Sequence, residues 1–172
     1  MIYNEKELEK NGIEQSISLI ATAIKTAPKS RGLNPLLTIV LTGEEKEKLA
    51  EKMSQYNKAP FPRDSQNIKD ADAVVLVGVK TIYLGLNCGM CGYKTCDDSE
   101  RNQGMCIFNT VDLGIALGSA VSTIANLKID NRIMYTAGIA ARDMGLFPKE
   151  FKIVMGIPLK VSQKNIFFDR KH

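Results

Sequence analysis

Ile13, Ile17, Ile20 and Ile24 recur at steps of four, three and four, which places them on one face of a helix over residues 11–27. Pro28 closes that helix, because the residue before a proline is pushed out of helical geometry. After a basic, turn-rich loop, Leu36-Leu37-Thr38-Ile39-Val40-Leu41 is an apolar run of strand length. Thr42-Gly43-Glu44-Glu45 has the pattern of a capping box, and Leu49, Met53 and Tyr56 mark the inner face of the helix it opens. Residues 57–69 are polar and hold Pro60 and Pro62, so the pattern predicts a loop. The run from Ala73 to Val79 is continuously apolar and rich in valine, which suits a central strand covered on both faces. Beyond a cysteine-rich stretch the pattern predicts a long helix from 107 to 127 and a second stripe at Ile133, Ala137, Ala140, Ala141 and Met144, closed by Gly145 and Pro148. Phe151 to Ile157 is a further strand, and Val161 to Phe168 a short extended tail able to pair with a partner chain. Helices alternating with a few fully apolar strands predict a layered sheet with helices on both faces. No repeat or linker divides the chain, so residues 1–172 are expected to form one domain, with residues 85–106 inserted between a core strand and a core helix.

Charge changes this picture little. Lys and Arg exceed Asp and Glu by 23 to 19, a formal net charge of +4, but the basic residues are interleaved with acids, as in Glu44-Glu45-Lys46-Glu47-Lys48. That is the pattern of a solvated helix face, and no nucleic-acid binding is expected. Nothing of signal-peptide type stands near Met1, so a cytoplasmic, reducing location is expected, where clustered cysteines serve as metal ligands or catalytic groups more often than as disulfides. Ile107 to Leu127 is long and largely apolar, but Asn109, Asp112, Ser119, Ser122, Thr123 and Asn126 interrupt it. It reads as a core helix with a close-packing Gly/Ala face around Gly114 and Gly118, and no membrane span is expected.

The candidate chemistry lies in the cysteines. All four, Cys88, Cys91, Cys96 and Cys106, fall in one short segment with the spacing C-x2-C-x4-C-x9-C. Two thiolates separated by two residues can grip one centre from a single turn. Gly89 and Gly92 let the backbone fold tightly and aim N–H groups at sulfur, where they tune a cluster's potential. Cys106 is expected at the start of the long helix, where free N–H groups favour a thiolate. A four-thiolate iron–sulfur cluster fits the count and the compact loop best, and a [2Fe-2S] centre uses the same number of ligands. A structural zinc site is the alternative, although this spacing is not the usual pair of zinc knuckles. Disulfides or inert thiols are the remaining reading.

Two resemblances sharpen these expectations. Cys88-Gly89-Met90-Cys91-Gly92-Tyr93-Lys94-Thr95-Cys96 resembles the C-G-x-C-G-x-x-x-C motif of [4Fe-4S] domains in corrinoid iron–sulfur proteins and some membrane-associated electron-transport subunits, whose fourth cysteine lies further on than Cys106 does here. More widely, Ile17 to Leu41, with Ala27-Pro28-Lys29-Ser30-Arg31-Gly32-Leu33-Asn34-Pro35, is similar to the helix–loop–strand of FMN-dependent nitroreductases, whose loop reads roughly A-P-S-x-x-N-x-Q-P. The run from Asp112 through Ala120, Met144 to Pro148, and Ile153 to Pro158 resemble that family's later helices and strand. The whole chain resembles an uncharacterised prokaryotic family of ferredoxin-domain proteins. The resemblance implies a nitroreductase-like α+β fold, with helices on both faces of a central mixed sheet and a cysteine-rich loop inserted. It also implies a homodimer with an FMN site at the subunit interface, touched by Lys29, Ser30, Arg31 and Asn34. Lys29 and Arg31 are cations suited to a phosphate. The nitroreductase family's arginine-rich start has no counterpart before Ile13.

The chain's single histidine, His172, is terminal beside Arg170 and Lys171, which disfavours Ser–His–acid hydrolysis. No phosphate-binding G-x-x-x-x-G-K loop occurs. Three functions follow. The first is an electron carrier, or a flavin- or iron–sulfur-dependent oxidoreductase, serving a redox partner. The second is a zinc-braced binding protein without catalysis. The third is a flavin enzyme whose cysteines sense oxidation.

Overall fold

The computed structural model describes residues 2–168, so His172 lies outside the described residues. Its elements are α1 (Glu5–Thr26), a 3-10 turn (Ser30–Gly32), β1 (Leu36–Thr42), α2 (Gly43–Ser54), α3 (Phe61–Asp70), β2 (Ala73–Val79), α4 (Cys96–Arg101), α5 (Ile107–Asn126), β3 (Asp130–Asn131), α6 (Tyr135–Asp143) and β4 (Ile153–Lys160). The strands form one sheet in the order β1-β2-β4-β3.

All seven residues of β2 are buried. Their alternation splits the core in two. Ala73, Val75, Val77 and Val79 pack against Ile20 and Ile24 of α1 and Leu113, Ala116, Ala120 and Ile124 of α5. Val74 and Leu76 pack on the other face with Leu49 and Met53 of α2, Phe61 and Ile68 of α3, and Ala137, Ala140 and Ala141 of α6. The expected layering with helices on both faces is therefore present. The sheet is not mixed: β1 with β2, β2 with β4 and β3 with β4 all pair antiparallel.

The reason lies in α3, where a loop was expected over residues 57–69. Two consecutive helices, α2 and α3, return the chain to the end of the sheet it left, so Thr42 at the end of β1 stands opposite Ala73 at the start of β2. A single crossover helix would have produced a parallel pair. The helix escaped the hydrophobic pattern because its buried face is largely polar: Asp64, Ser65 and Asn67 are buried beside Phe61 and Ile68. Ser65 Oγ donates to the Ala50 carbonyl at 2.8 Å and Thr136 Oγ1 donates to Asp64 Oδ2 at 2.7 Å, so these groups are satisfied where they sit. Pro62 stands in the first turn, where its missing N–H costs nothing.

Other boundaries move for local reasons. The first helix begins at Glu5 rather than near residue 11, because Asn4 and Glu7 form a capping box. Thr42 occupies the cap of α2 but makes no side-chain cap bond. The tail after β4 forms no strand among its described residues. It folds back so that Phe167, 3% exposed, fills the core beside α2 and α6, while Asn165 Nδ2 donates to Asp130 Oδ1 at 2.9 Å.

Helix α5 is long and apolar enough to cross a membrane by length and composition, but here it packs against α1 and β2. Its alanines and its glycines part company. Ala116 and Ala120 are fully buried, whereas a side chain at Gly114 or Gly118 would meet nothing within 4 Å. The expected Gly/Ala packing face is thus only half used within the chain.

Of the glycines, Gly138 marks the tightest approach, that of α6 on β4. A Cβ at Gly138 would lie 1.7 Å from the Val154 carbonyl oxygen. Gly138→Ala is expected to destabilise the protein by at least ~2 kcal/mol, because backbone rather than a flexible side chain must move. Gly12→Ala, within α1 with nothing inside 4 Å, is expected to stabilise it by about 0.5–1 kcal/mol. Urea unfolding of the two variants checks both signs.

Candidate functional site

Between Val79 and Cys96 the chain forms no regular element, yet it is tied down along its length. Lys80 N donates to the Pro35 carbonyl at 3.0 Å and Ile82 N to Asn109 Oδ1 at 3.0 Å. Tyr83 Oη donates to the Gly104 carbonyl at 2.9 Å. Burial first, then the neighbouring Glu100 and Cys106, push the Tyr83 phenol above its ordinary pKa, so it remains a donor.

The turn carrying the first two cysteines depends on left-handed backbone. Gly89 (φ 72°) and Gly92 (φ 88°) adopt it, and Gly92 N donates to the Gly89 carbonyl at 3.0 Å. Asn87 (φ 47°) is left-handed too, and it is bonded reciprocally to the third cysteine. Asn87 N donates to Cys96 Sγ at 3.4 Å, and Cys96 N donates to Asn87 Oδ1 at 2.8 Å. Cys96 opens α4, whose cap is Thr95, with its hydroxyl oxygen accepting from Asp98 N at 3.1 Å. Cys106 is the N-cap residue of α5, at the helix start where it was expected.

Cys88, Cys91, Cys96 and Cys106 all line one recess, together with Tyr83, Leu84, Tyr93 and Ser99. None is in a disulfide, and exposure falls from Cys88, which is exposed, to Cys106, which is buried. Among the described residues no three His, Cys, Asp or Glu side chains are grouped to hold a single metal ion. Four free thiols, one accepting a backbone N–H, fit by their chemistry a group that takes thiolate ligands.

The loop of Lys29, Ser30, Arg31 and Asn34 touches this recess through Arg31 and is largely engaged with the chain itself. Lys29 Nζ donates to the carbonyls of Ile24, Lys25 and Ala27 at 3.0, 3.0 and 2.7 Å, closing the C-terminus of α1. Burial, then the charge of Lys25, lower its pKa, against the opposing pull of Asp112. Ser30 N and Oγ both donate to Asp112 Oδ1, at 3.0 and 2.9 Å. Arg31 (φ 56°) donates through one guanidinium nitrogen to the carbonyl of Leu84, a residue of the cysteine recess, and is otherwise exposed. Asn34 is exposed, on a groove with Lys25 and Leu36.

Three residues that sequence reasoning did not assign help to build the site. Asn109 and Asp112 had a signal, as polar positions in an apolar helix, and both are buried with one side-chain atom left without a partner, Asn109 Nδ2 and Asp112 Oδ2. Asn87 had none beyond its place next to Cys88.

The model of a family described as "Uncharacterized protein containing a ferredoxin domain" matches residues 102–170, a stretch that holds Cys106 but not the other three cysteines. An uncharacterized protein of Archaeoglobus fulgidus is 37% identical over 182 aligned residues, covering 99% of this chain and 98% of its own length. Among solved structures, a putative nitroreductase in complex with FMN from Desulfovibrio desulfuricans superposes with a TM-score of 0.62 at 11% identity, over 88% of this chain and 76% of its own. An FMN-dependent nitroreductase from Clostridium difficile does so with a TM-score of 0.59 at 16% identity, over 88% and 77%. The fold is therefore nitroreductase-like.

In the metal-free, reduced protein, alkylation followed by mass spectrometry is expected to label Cys88 first and Cys106 last, in the order of their exposure. Asn87→Ala, which removes the acceptor for Cys96 N and leaves a strained φ, is expected to speed labelling of Cys96 about fivefold, the equivalent of one ~1 kcal/mol hydrogen bond.

Proposed function

Because the chain belongs to the family of uncharacterized proteins containing a ferredoxin domain, we propose that it is a redox protein whose Cys88, Cys91, Cys96 and Cys106 hold an iron–sulfur cluster of the [4Fe-4S] type. The observation that carries this reading is that all four cysteines of the chain, drawn from a loop, α4 and the cap of α5, line the same recess as free thiols. When bound, such a cluster supplies single-electron transfer.

The spacing C-x2-C-x4-C-x9-C favours this group over zinc, because it is not the usual pair of zinc knuckles. Asn87 N already donates to Cys96 Sγ at 3.4 Å, so one backbone N–H points at this ligand sulfur. A cytoplasmic location keeps such thiols reduced.

Two further parts of the reading rest on the fold. The first is FMN bound by the loop of Lys29, Ser30, Arg31 and Asn34. Lys29 is committed to helix carbonyls, so Arg31 is the cation of this loop with donors to spare for a phosphate. Its bond to the Leu84 carbonyl joins that loop to the wall of the cysteine recess, a short path for electrons between the two. The second is a homodimer through the outward face of α5. Val111 and Ile115, 44% and 41% exposed, flank Gly114 and Gly118, whose open faces let a second helix approach closely.

One anaerobic preparation tests the whole reading. We expect a brown protein with iron and acid-labile sulfide in equal amounts, a flavin absorbance band once FMN is added, and twice the chain mass by light scattering. Replacing any one of the four cysteines with Ser is expected to abolish or sharply reduce bound iron. A colourless protein carrying one zinc per chain, or no metal at all, would falsify the cluster assignment. Bound flavin without iron would leave an oxidation-sensing role for the cysteines.

A further inference from the structure

Among the described residues Thr81 Oγ1 and Ser99 Oγ are buried hydroxyl oxygens without a partner, and of these Ser99 lines the cysteine recess. The side chains of Ser16, Ser65 and Thr136 each donate to a partner, the Ile13 carbonyl, the Ala50 carbonyl and Asp64 Oδ2. Ser99, on α4 and 1% exposed, has no partner for its Oγ. A buried hydroxyl left unpaired costs about 1–3 kcal/mol, so its retention calls for a compensating role.

Its position supplies one. Ser99 lines the recess that Cys88, Cys91, Cys96 and Cys106 also line. The surrounding chain leaves the hydroxyl little alternative: Gly104 N donates to the Ser99 carbonyl at 2.8 Å, and a Cβ at Gly104 would lie 2.8 Å from Ser99 Oγ and 2.6 Å from the Tyr93 ring. Any larger residue at 104 would push Ser99 and Tyr93 aside. Four of the residues that share the recess with Ser99 are cysteines, whose sulfur can accept from an O–H donor.

We propose that Ser99 is a positioning residue whose Oγ–H donates a hydrogen bond to a sulfur of the bound cluster and thereby raises its reduction potential, a role that rests on the iron–sulfur reading above. The physical basis is charge. Reduction adds one negative charge to the group in the recess, and a donor already aimed at sulfur stabilises the more negative form over the less negative one. No proton is transferred and no bond to sulfur other than the hydrogen bond forms.

The test compares the wild-type protein with Ser99→Ala, which removes the hydroxyl and keeps the volume. In the metal-free protein the alanine variant is expected to be as stable as the wild type or more so, because an unpaired buried hydroxyl is lost. After anaerobic reconstitution it is expected to hold the same iron and sulfide. At the wild-type midpoint its oxidised-to-reduced ratio should rise about tenfold, a shift of ~59 mV to more negative potential for one electron. Deuterium-sensitive Fe–S stretching bands are expected in the wild-type resonance Raman spectrum and not in the variant. Full reconstitution with an unchanged potential overturns the proposal and leaves the cluster assignment standing. Loss of iron from the alanine variant alone, or a metal-free variant clearly less stable than the wild type, assigns Ser99 to loop structure and also overturns it. Failure of the wild type itself to take up iron and sulfide removes both readings.

Discussion

The complete burial of β2 is the constraint on which the rest of this structure depends. Seven consecutive residues with no contact with water require cover on both faces and hydrogen-bonded strands on both edges. The α1–α5 layer and the α2–α3–α6 layer provide the cover, and β1 and β4 provide the edges. A fully buried Val or Leu is worth about 1.5–3 kcal/mol of hydrophobic stabilisation, so this strand anchors both cores at once. It also decides where the chemistry sits. The chain leaves β2 at Val79, and the cysteine segment begins at that end of the sheet.

The cysteine segment borrows its order from the fold around it. It contributes little apolar surface of its own: Leu86 and Met90 are 47% and 66% exposed, and Leu84 is its buried anchor. Hydrogen bonds take over the holding, from Asn109 on α5, from the Gly104 carbonyl and from Asn87 to Cys96. The same helix α5 that carries Cys106 at its cap also carries Asn109 and Asp112, which fasten the cysteine segment and the loop after α1. One rigid helix thereby relates the sulfur recess to the Ser30–Arg31 turn.

The loop after α1 shows how a charged sequence can mislead. Lys29 reads as a phosphate ligand, and its ammonium instead meets three carbonyls at the end of α1. A helix that ends at a proline leaves carbonyls exposed, and a nearby lysine is the readiest donor for them. Ser30 is likewise occupied by Asp112. The loop's remaining capacity to bind an anion is concentrated in Arg31.

The sequence by itself determined the elements whose partner is hydrophobic and regular. The period of Ile13 to Ile24, the unbroken run of β2 and the stripe from Ala137 to Ala141 all describe surfaces that must be buried, and burial follows from composition alone. It also determined the candidate ligands, since four cysteines at that spacing are chemistry written locally. It did not reveal α3, because Asp64, Ser65 and Asn67 make its inner face largely polar, and Asp64 and Ser65 find partners there in Thr136 and Ala50 on other elements. The mixed sheet implied by the resemblance gave way to an antiparallel one, in which α2 and α3 together return the chain to the end of the sheet it left. Tertiary structure alone decided which carbonyls Lys29 meets, that α6 touches β4 backbone to backbone at Gly138, and that Ser99 shares a recess with the four cysteines. Each of these depends on where distant segments come to rest, and no local pattern of apolar and polar residues encodes such a distance.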